Sequence, residues 1–284
     1  MALPDMSVIV PVGGRPEHLR RCLASLRAAP QVLDVVLVDL LAGTRSSLAP
    51  SAGSEGTEVR VVPCPPHRSG ALRLGEARNV GAALAASRRL CFLDVDCVVS
   101  PGALERWCGA VDTYRSALVA PPVRYLRAGW LTEVGGEPPG APAWNRASVP
   151  ARRPTPSVDR VATRQEYDLF WSLAFCCATD TFDRVGGFDT TYVGYGAEDT
   201  DFARRARHRD VPLVWVADGV AYHQHHEPSR LDARRVGELV ANARRFHCRW
   251  HEWPMQGWLR ELAEHGLVEW DPGAGVLHAV GPSV

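Results

Sequence analysis

Short β-branched apolar runs alternate with amphipathic stretches over the first third of the chain. Ser7-Val8-Ile9-Val10-Pro11-Val12 predicts a strand, broken by Gly13-Gly14-Arg15-Pro16. Leu19, Cys22, Leu23 and Leu26 then recur at helical spacing, so a helix is predicted over 17–28. Strands are predicted at 35–39 and 59–62, on either side of a small, polar loop at 43–56. Ala77, Val80, Ala83 and Leu84 mark one face of a helix over 75–87. The apolar run Leu90-Cys91-Phe92-Leu93 then leads into Asp94-Val95-Asp96. This alternation predicts a mainly parallel α/β sheet flanked by helices, whose ligands bind beyond the carboxyl ends of the strands. Asp39, Asp94 and Asp96 fall at such ends.

The texture changes from 120 to 156, where prolines crowd (Pro121, Pro122, Pro138, Pro139, Pro142, Pro150, Pro154, Pro156). A long loop is expected there, suited to a lid or substrate loop. Order resumes over 167–178. Short helices are predicted at 179–185 and 198–207, strands at 214–216 and 221–223, and a long helix at 232–249. A hairpin is predicted across Asp271-Pro272-Gly273, pairing 268–270 with 276–278.

Composition narrows the function classes. The chain has 284 residues, with 32 basic and 32 acidic side chains, so no global field favours nucleic acid or a membrane surface. The Arg-rich stretch at Arg204, Arg205 and Arg207 reads as a solvated helix face. No run reaches the roughly 18 apolar residues of a membrane span. Met1-Ala2-Leu3-Pro4-Asp5 lacks the basic region of a signal peptide, so a cytoplasmic protein is expected. The eight cysteines form no metal-binding spacing; Cys22, Cys91 and Cys176 read as core side chains.

Three clusters carry chemistry. Asp94 and Asp96 share side-chain parity on an extended backbone, so both are expected to face one point. Two carboxylates there suit a divalent cation, and the cation suits a diphosphate. Glu198, Asp199 and Asp201 crowd a predicted helix start just after Gly194 and Gly196. One cap needs one carboxylate, and crowded anions raise one another's pKa, which points to a base or cation site. The third cluster is Tyr222-His223-Gln224-His225-His226, in which His223, at a strand end, is the best metal-ligand candidate.

Together with Ala77-Arg78-Asn79-Val80-Gly81 and Gly186-Gly187-Phe188-Asp189, these residues resemble a GT-A fold glycosyltransferase of family 2 with a galactosyltransferase-like C-terminal region. The resemblance covers Ser7 to about Pro228. It implies a GT-A domain over 1–228, comprising a nucleotide-binding half (1–119), a Pro/Gly-rich loop (120–166) and an acceptor and catalytic half (167–228). A C-terminal helix and hairpin follow over 229–284.

The resemblance further implies a nucleotide-sugar donor, typically a UDP-sugar, held through Mn²⁺ or Mg²⁺. Asp96 and His223 would bind the metal, with Asp94 shared between the metal shell and ribose. Pro11, Val12, Arg15 and Val95 would line the nucleotide pocket, and Asp39 would reach the base. Arg78 and Asn79 would sit near the nucleotide or sugar. Glu198 and Asp199 would bind and deprotonate a small-molecule, glycan or peptide acceptor, with Asp199 as the general base of an inverting transfer.

Two departures touch specificity: Leu40-Leu41 follow Asp39 where a second polar residue is common, and Ala197 replaces a glycine. Trp130, Trp144 and Trp171 are candidates for sugar stacking, whereas Trp250, Trp253 and Trp258 read as packing of an amphipathic helix. A non-catalytic nucleotide-sugar or glycan-binding protein on the same fold is the rival reading. A metal-dependent nucleotidyltransferase or pyrophosphatase is a further one. Neither has a use for the acidic pair at 198–199.

Overall fold

The structure, a computed structural model, describes residues 5–27, 29–41, 57–133, 144–226 and 232–280. The expected loop at 43–56, the first four residues, and Pro138, Pro139, Pro142 and Pro228 lie outside these segments.

The first half follows the apolar pattern. Strand β1 (Met6–Val12), helix α1 (Pro16–Arg27), strands β2 (Val32–Asp39) and β3 (Glu58–Pro63), helix α2 (Leu74–Leu84) and strand β4 (Arg89–Leu93) build one side of a large sheet. Helix α2 stops earlier than its apolar face predicts. Ala85 is already extended, and Ser87 is drawn to the strand edge through hydrogen bonds with Ser7 and Asp5. Strand β5 (Cys97–Val99), helix α3 (Ala103–Thr113), strands β6 (Leu118–Ala120) and β7 (Val123–Tyr125), and the one-turn helix α4 (Trp130–Glu133) come next. Residues 120–156 are therefore not all loop. Val123–Tyr125 pairs as a strand once Pro121 and Pro122 are passed, and Tyr125 bridges to Ser148.

The second half contains β8 (Arg160–Val161), a 3₁₀ turn (Gln165–Leu169), β9 (Ala174–Ala178), α5 (Thr179–Val185), α6 (Glu198–His208), β10 (Leu213–Trp215) and β11 (Ala221–His223). Helices α7 (Ala233–Trp250) and α8 (Gln256–Glu264) and strands β12 (Val268–Asp271) and β13 (Val276–Ala279) complete the chain. The last two strands form the expected hairpin.

The main sheet has eight strands in the order β3-β2-β1-β4-β9-β6-β10-β8. It is mainly parallel: β1 runs parallel to β2 and β4, β2 to β3, and β6 to β10. Strand β9 enters antiparallel between β4 and β6. Its run Ala174-Phe175-Cys176-Cys177 is buried on both faces, so it shows no alternation from which direction could be read. Two apolar layers sandwich the sheet, one centred on Leu23, Cys91, Trp107 and Cys176, the other on Phe92, Phe175, Phe188 and Phe202. Cys22, Cys91 and Cys176 are buried, free thiols, as core side chains would be.

A small sheet, β5-β11-β7, sits beside the main one and brings β11 antiparallel to the strand that follows Asp96. The C-terminal helices and hairpin share their own apolar cluster around Leu239, Trp253, Leu259 and Leu277. The arginines of α6 do not form a solvated face. Arg204 is 4% exposed and pairs with Asp168 and Glu252, while Arg205, 7% exposed, pairs with Asp201. Among the described residues, no helix is long and apolar enough to cross a membrane.

Candidate active site

The D-x-D segment lies at the tip of β4 but not on extended backbone. Strand β4 ends at Leu93, and the Cys97 amide donates to the Asp94 carbonyl at 2.9 Å, closing a tight turn. The two carboxylates, one either side of Val95 in this turn, take different partners. Asp94 faces Arg78, whose Nη2 donates to it at 2.9 Å. Asp96 turns to the opposite partners: Arg15, His223 and His226.

Register explains how His223 arrives there. Strand β11 pairs antiparallel with β5 so that His223 lies opposite Cys97, and the Gln224 amide donates to the Asp96 carbonyl at 2.7 Å. His223 Nε2 lies 3.5 Å from Asp96 Oδ1, and His226 Nε2 lies 3.4 Å from Oδ2. Ligand atoms of Asp96, His223 and His226 all fall within 4.8 Å of one another, a set able to hold a metal ion. Burial opposes ionisation of Asp96, yet the His226 hydrogen bond and the charges of His223 and Arg15 hold its pKa at about 2. Burial lowers His223 against the opposing charge of Asp96, with His226 and Arg15 adding to the lowering. A carboxylate with two imidazoles is a mixed O/N donor set that suits a divalent transition-metal ion. His226 was not singled out from the histidine triplet; its position one turn of chain beyond β11 brings it back over Asp96.

Arg78 joins this end to the other. It is 2% exposed, and its guanidinium donates through Nη2 to Asp94 and through Nη1 to Glu198 at 3.3 Å. Glu198 and Asp199 open α6. Burial, then the charge of Asp199, raises the Glu198 carboxyl to about 7 against the opposing charge of Arg78. Burial also raises Asp199, opposed by Arg78 and by hydrogen bonds from Thr200 and Ser172. The Thr200 amide donates to Asp199 Oδ1 at 2.7 Å. Among the described residues Asp199 makes no ion pair, and it is only half-buried.

The loop before α6 is rich in left-handed backbone. Gly194 and Gly196 take positive φ, and so does Ala197, at 68°. The departure from glycine at 197 thus falls on a left-handed residue, a conformation that costs a side-chain-bearing residue about 1 kcal/mol or more. Ala197 is fully buried against Tyr192 and Phe246. Helix α7 holds the loop from behind. Asn242 Nδ2 donates to the carbonyls of Val193 and Tyr195 at 3.1 and 3.3 Å, and Glu238 Oε2 accepts from the Tyr195 amide at 3.1 Å. A Cβ on Gly194 would lie 2.5 Å from the Glu238 carboxyl carbon, so that close approach requires glycine.

The other expected residues divide. Val12 and Asp39 are register partners at the carboxyl edge of β1 and β2, with Pro11 beside them. Asp39 is fully buried and its Oδ1 accepts from the Leu41 amide at 2.9 Å. Val95 is buried in the turn. Arg15, expected along the nucleotide pocket, sits on Asp96 and contacts His226 at 3.3 Å. Asn79 points elsewhere: its amide is engaged with the backbone of Phe188 in both directions, at 2.8 and 2.9 Å, pinning the Gly186-Gly187-Phe188 turn. Trp130 is buried with Leu126 and Tyr222, so it is core rather than a sugar platform. Trp144 lies 3.8 Å, centroid to centroid, from Tyr222. Trp250 donates to Asp201 and Trp253 is buried, both packing roles, whereas Trp258 stacks on Tyr195.

Comparison with known proteins gives the fold and the family. The architecture is that of the GT-A glycosyltransferases: the fold matches Staphylococcus aureus TarS 1–349 in complex with UDP-GlcNAc (TM-score 0.60, 15% identity, 84% of this chain and 65% of that one). It also matches GalNAc-T7 with UDP, GalNAc and Mn²⁺ (TM-score 0.55, 16% identity, 80% and 45%). The chain belongs to glycosyl transferase family 2, which its residues 7–153 match, and residues 152–227 match the family described as the N-terminal domain of galactosyltransferase.

Among curated relatives, validoxylamine A glucosyltransferase of Streptomyces hygroscopicus subsp. limoneus is 26% identical over 269 residues, covering 86% of this chain and 56% of that protein. Pre-mycofactocin glycosyltransferase of Mycobacterium tuberculosis (strain CDC 1551 / Oshkosh) is 30% identical over 220 residues, covering 75% and 42%. The chain thus spans about half the length of the curated relatives it matches.

Proposed function

We propose that this protein transfers a sugar, with inversion, from a nucleotide-sugar donor to the hydroxyl of an acceptor, using Asp199 as the general base. The observation that carries the reading is the buried Arg78, which ties Asp94 of the D-x-D turn to Glu198 of the acidic pair. Nucleotide end and acceptor end are thereby held at one place, with Asp199 next to the junction.

Each group has a task that its surroundings suit. Asp96, His223 and His226 fit a divalent cation by donor type and spacing, and the Mn²⁺ in one solved neighbour supports that ion here. Such a cation, when bound, acts as a Lewis acid that neutralises charge on the departing diphosphate. Asp94, Arg78 and Glu198 present acceptors and donors for sugar hydroxyls. Asp199 keeps a carboxylate oxygen outside any ion pair among the described residues, as a base must if it is to take the acceptor proton. UDP in one solved neighbour and UDP-GlcNAc in the other support a uridine diphosphate donor. A binding protein on this fold has no use for a base at Asp199, which argues against the non-catalytic reading.

The test is a panel of UDP-, GDP- and TDP-sugars scored with Mn²⁺ present and after chelation. A thermal upshift and slow donor hydrolysis are expected with UDP-sugars, and only with metal. Stabilisation that is indifferent to chelation, or hydrolysis of the nucleotide without release of free sugar, contradicts the reading.

A further inference from the structure

Asp201, the third acid of the cluster at 198–201, is fully buried, and its carboxylate is saturated. Arg205 Nε donates to Oδ2 at 2.8 Å. Trp250 Nε1, Arg249 Nη1 and the Tyr192 hydroxyl donate to Oδ1 at 2.9, 3.3 and 3.4 Å. An ionised carboxylate has about four lone-pair positions, so this one has no capacity left for a cation or an acceptor proton. Its partners come from three places. Arg205, on α6 itself, also donates from Nη1 to the Val185 carbonyl at 3.0 Å. Arg249 and Trp250 end α7, and Arg249 also pairs with Asp189 at 2.8 Å. Tyr192 belongs to the loop before α6. Asp201 is thus the point where α6, α7 and the chain from Val185 to Tyr192 are fastened together.

That fastening falls on a helix start that has no cap of its own. Ala197 holds the cap position of α6 and offers no side-chain oxygen, whereas Ser, Thr, Asp or Asn there would bond the first turn. The Asp201 amide closes that turn on the Ala197 carbonyl at 2.9 Å. Side chains advance about 100° per residue around a helix, so Asp199 lies about 200° from Asp201 and Glu198 only about 60° from it. With Asp201 pinned inward, Glu198 is carried in to Arg78 and is 7% exposed, while Asp199 faces away and stays half-buried.

We propose that Asp201 is a positioning residue whose carboxylate fixes the rotation of the first turn of α6, turning Glu198 inward to Arg78 and Asp199 outward to the acceptor. Its value for transfer rests on Asp199 being the base; its effect on the turn does not, and the two are read separately.

The turn is read by coupling carboxyl groups to glycine ethyl ester with a carbodiimide, without donor or metal, and locating the label by tandem mass spectrometry. In the wild type Asp199 should be labelled faster than Glu198. Asp201→Asn sets an amide against the donors, and should lower the ratio of Asp199 to Glu198 label by about threefold or more. An unchanged ratio overturns the proposal. So does a gain of label at Asp34 and Asp39, buried in the sheet, equal to that at Glu198, because Asp201 then serves overall stability. Should Asp201→Asn fail to fold, Trp250→Phe decides, since it removes one donor and keeps a ring. A ratio lowered by about twofold supports the proposal, and an unchanged one overturns it. Turnover is read as hydrolysis of the UDP-sugar that the nucleotide-sugar panel selects, with Mn²⁺. Asp201→Asn should slow it about tenfold in the wild type but less than about twofold in Asp199→Asn, because the effect passes through Asp199. Equal factors in the two backgrounds overturn the proposal. Full turnover by Asp199→Asn alone would instead remove the base assignment, while the labelling ratio still reports whether Asp201 sets the turn.

Discussion

Arg78 Nη1 donates to Glu198 Oε1 at 3.3 Å across 120 positions of chain, while Nη2 of the same guanidinium holds Asp94 at 2.9 Å. One buried side chain thereby fixes the distance between the two halves of the site. Arg78→Met leaves two carboxylates in the interior without their cation. Breaking a buried pair from one side typically costs about 3–5 kcal/mol. Denaturant unfolding should show a loss of that order, and Arg78→Lys should recover only part of it, because one ammonium cannot reproduce the two-pronged geometry. A loss below about 1 kcal/mol in Arg78→Met would show that the two halves are held by other contacts.

Glu198 is raised to about 7 by burial and by Asp199. Between its ordinary carboxylate range and that value, the folded protein keeps a proton that the unfolded chain has released. Stability therefore falls as pH rises through this window and levels off above about 7. Glu198→Gln mimics the protonated form. It should be more stable than wild type by about 2–3 kcal/mol at pH 8 and nearly equal to it at pH 4.5, while losing transfer. Melting curves across that range check the sign, and equal destabilisation at both ends contradicts it.

The cation site makes an asymmetric prediction. His223→Ala and His226→Ala should each weaken Mn²⁺ binding about tenfold or more, read by calorimetry on the protein without donor. His18→Ala, which removes a neighbour of His226 outside the ligand set, should leave the affinity within error. Wild-type affinity in His226→Ala would reduce the set to Asp96 and His223.

Helix α7 lies beyond both family matches, which end at residues 153 and 227, yet it grips the loop that delivers the acidic pair. Asn242→Ala strands two carbonyls and should cost about 1–3 kcal/mol. It should lower kcat about tenfold, with donor and Mn²⁺ affinity unchanged, because only the base is displaced. Glu238→Gln still accepts from the Tyr195 amide and should stay closer to wild type than Glu238→Ala. Equal loss of donor affinity in Asn242→Ala would mean that α7 supports the whole fold rather than this loop.

The parallel half of the sheet was legible because its apolar runs and glycine breaks repeat in order, and the terminal hairpin because Asp271-Pro272-Gly273 specifies a turn. What escaped depended on contacts between distant segments. Strand β9 carries no alternation to mark it as antiparallel. The D-x-D residues sit in a turn that is closed by an amide from Cys97, which parity on a strand cannot foresee. Arg204 and Arg205 look like surface charges until Asp168, Glu252 and Asp201 come to meet them. At the site, Asp96, His223 and the pair 198–199 were visible as clusters of like chemistry. His226 was visible in the same histidine triplet, but its approach to Asp96 depends on the chain turning back after β11.

The central claim is that Asp199 takes the acceptor proton. With the donor identified by the nucleotide-sugar panel and a matching acceptor, Asp199→Asn should lower the transfer rate by about 100- to 10,000-fold, a range typical of a general base. Its Mn²⁺-dependent donor affinity, measured on the same preparation, should stay at the wild-type value. Near-normal transfer by Asp199→Asn, with donor binding intact, would contradict the account.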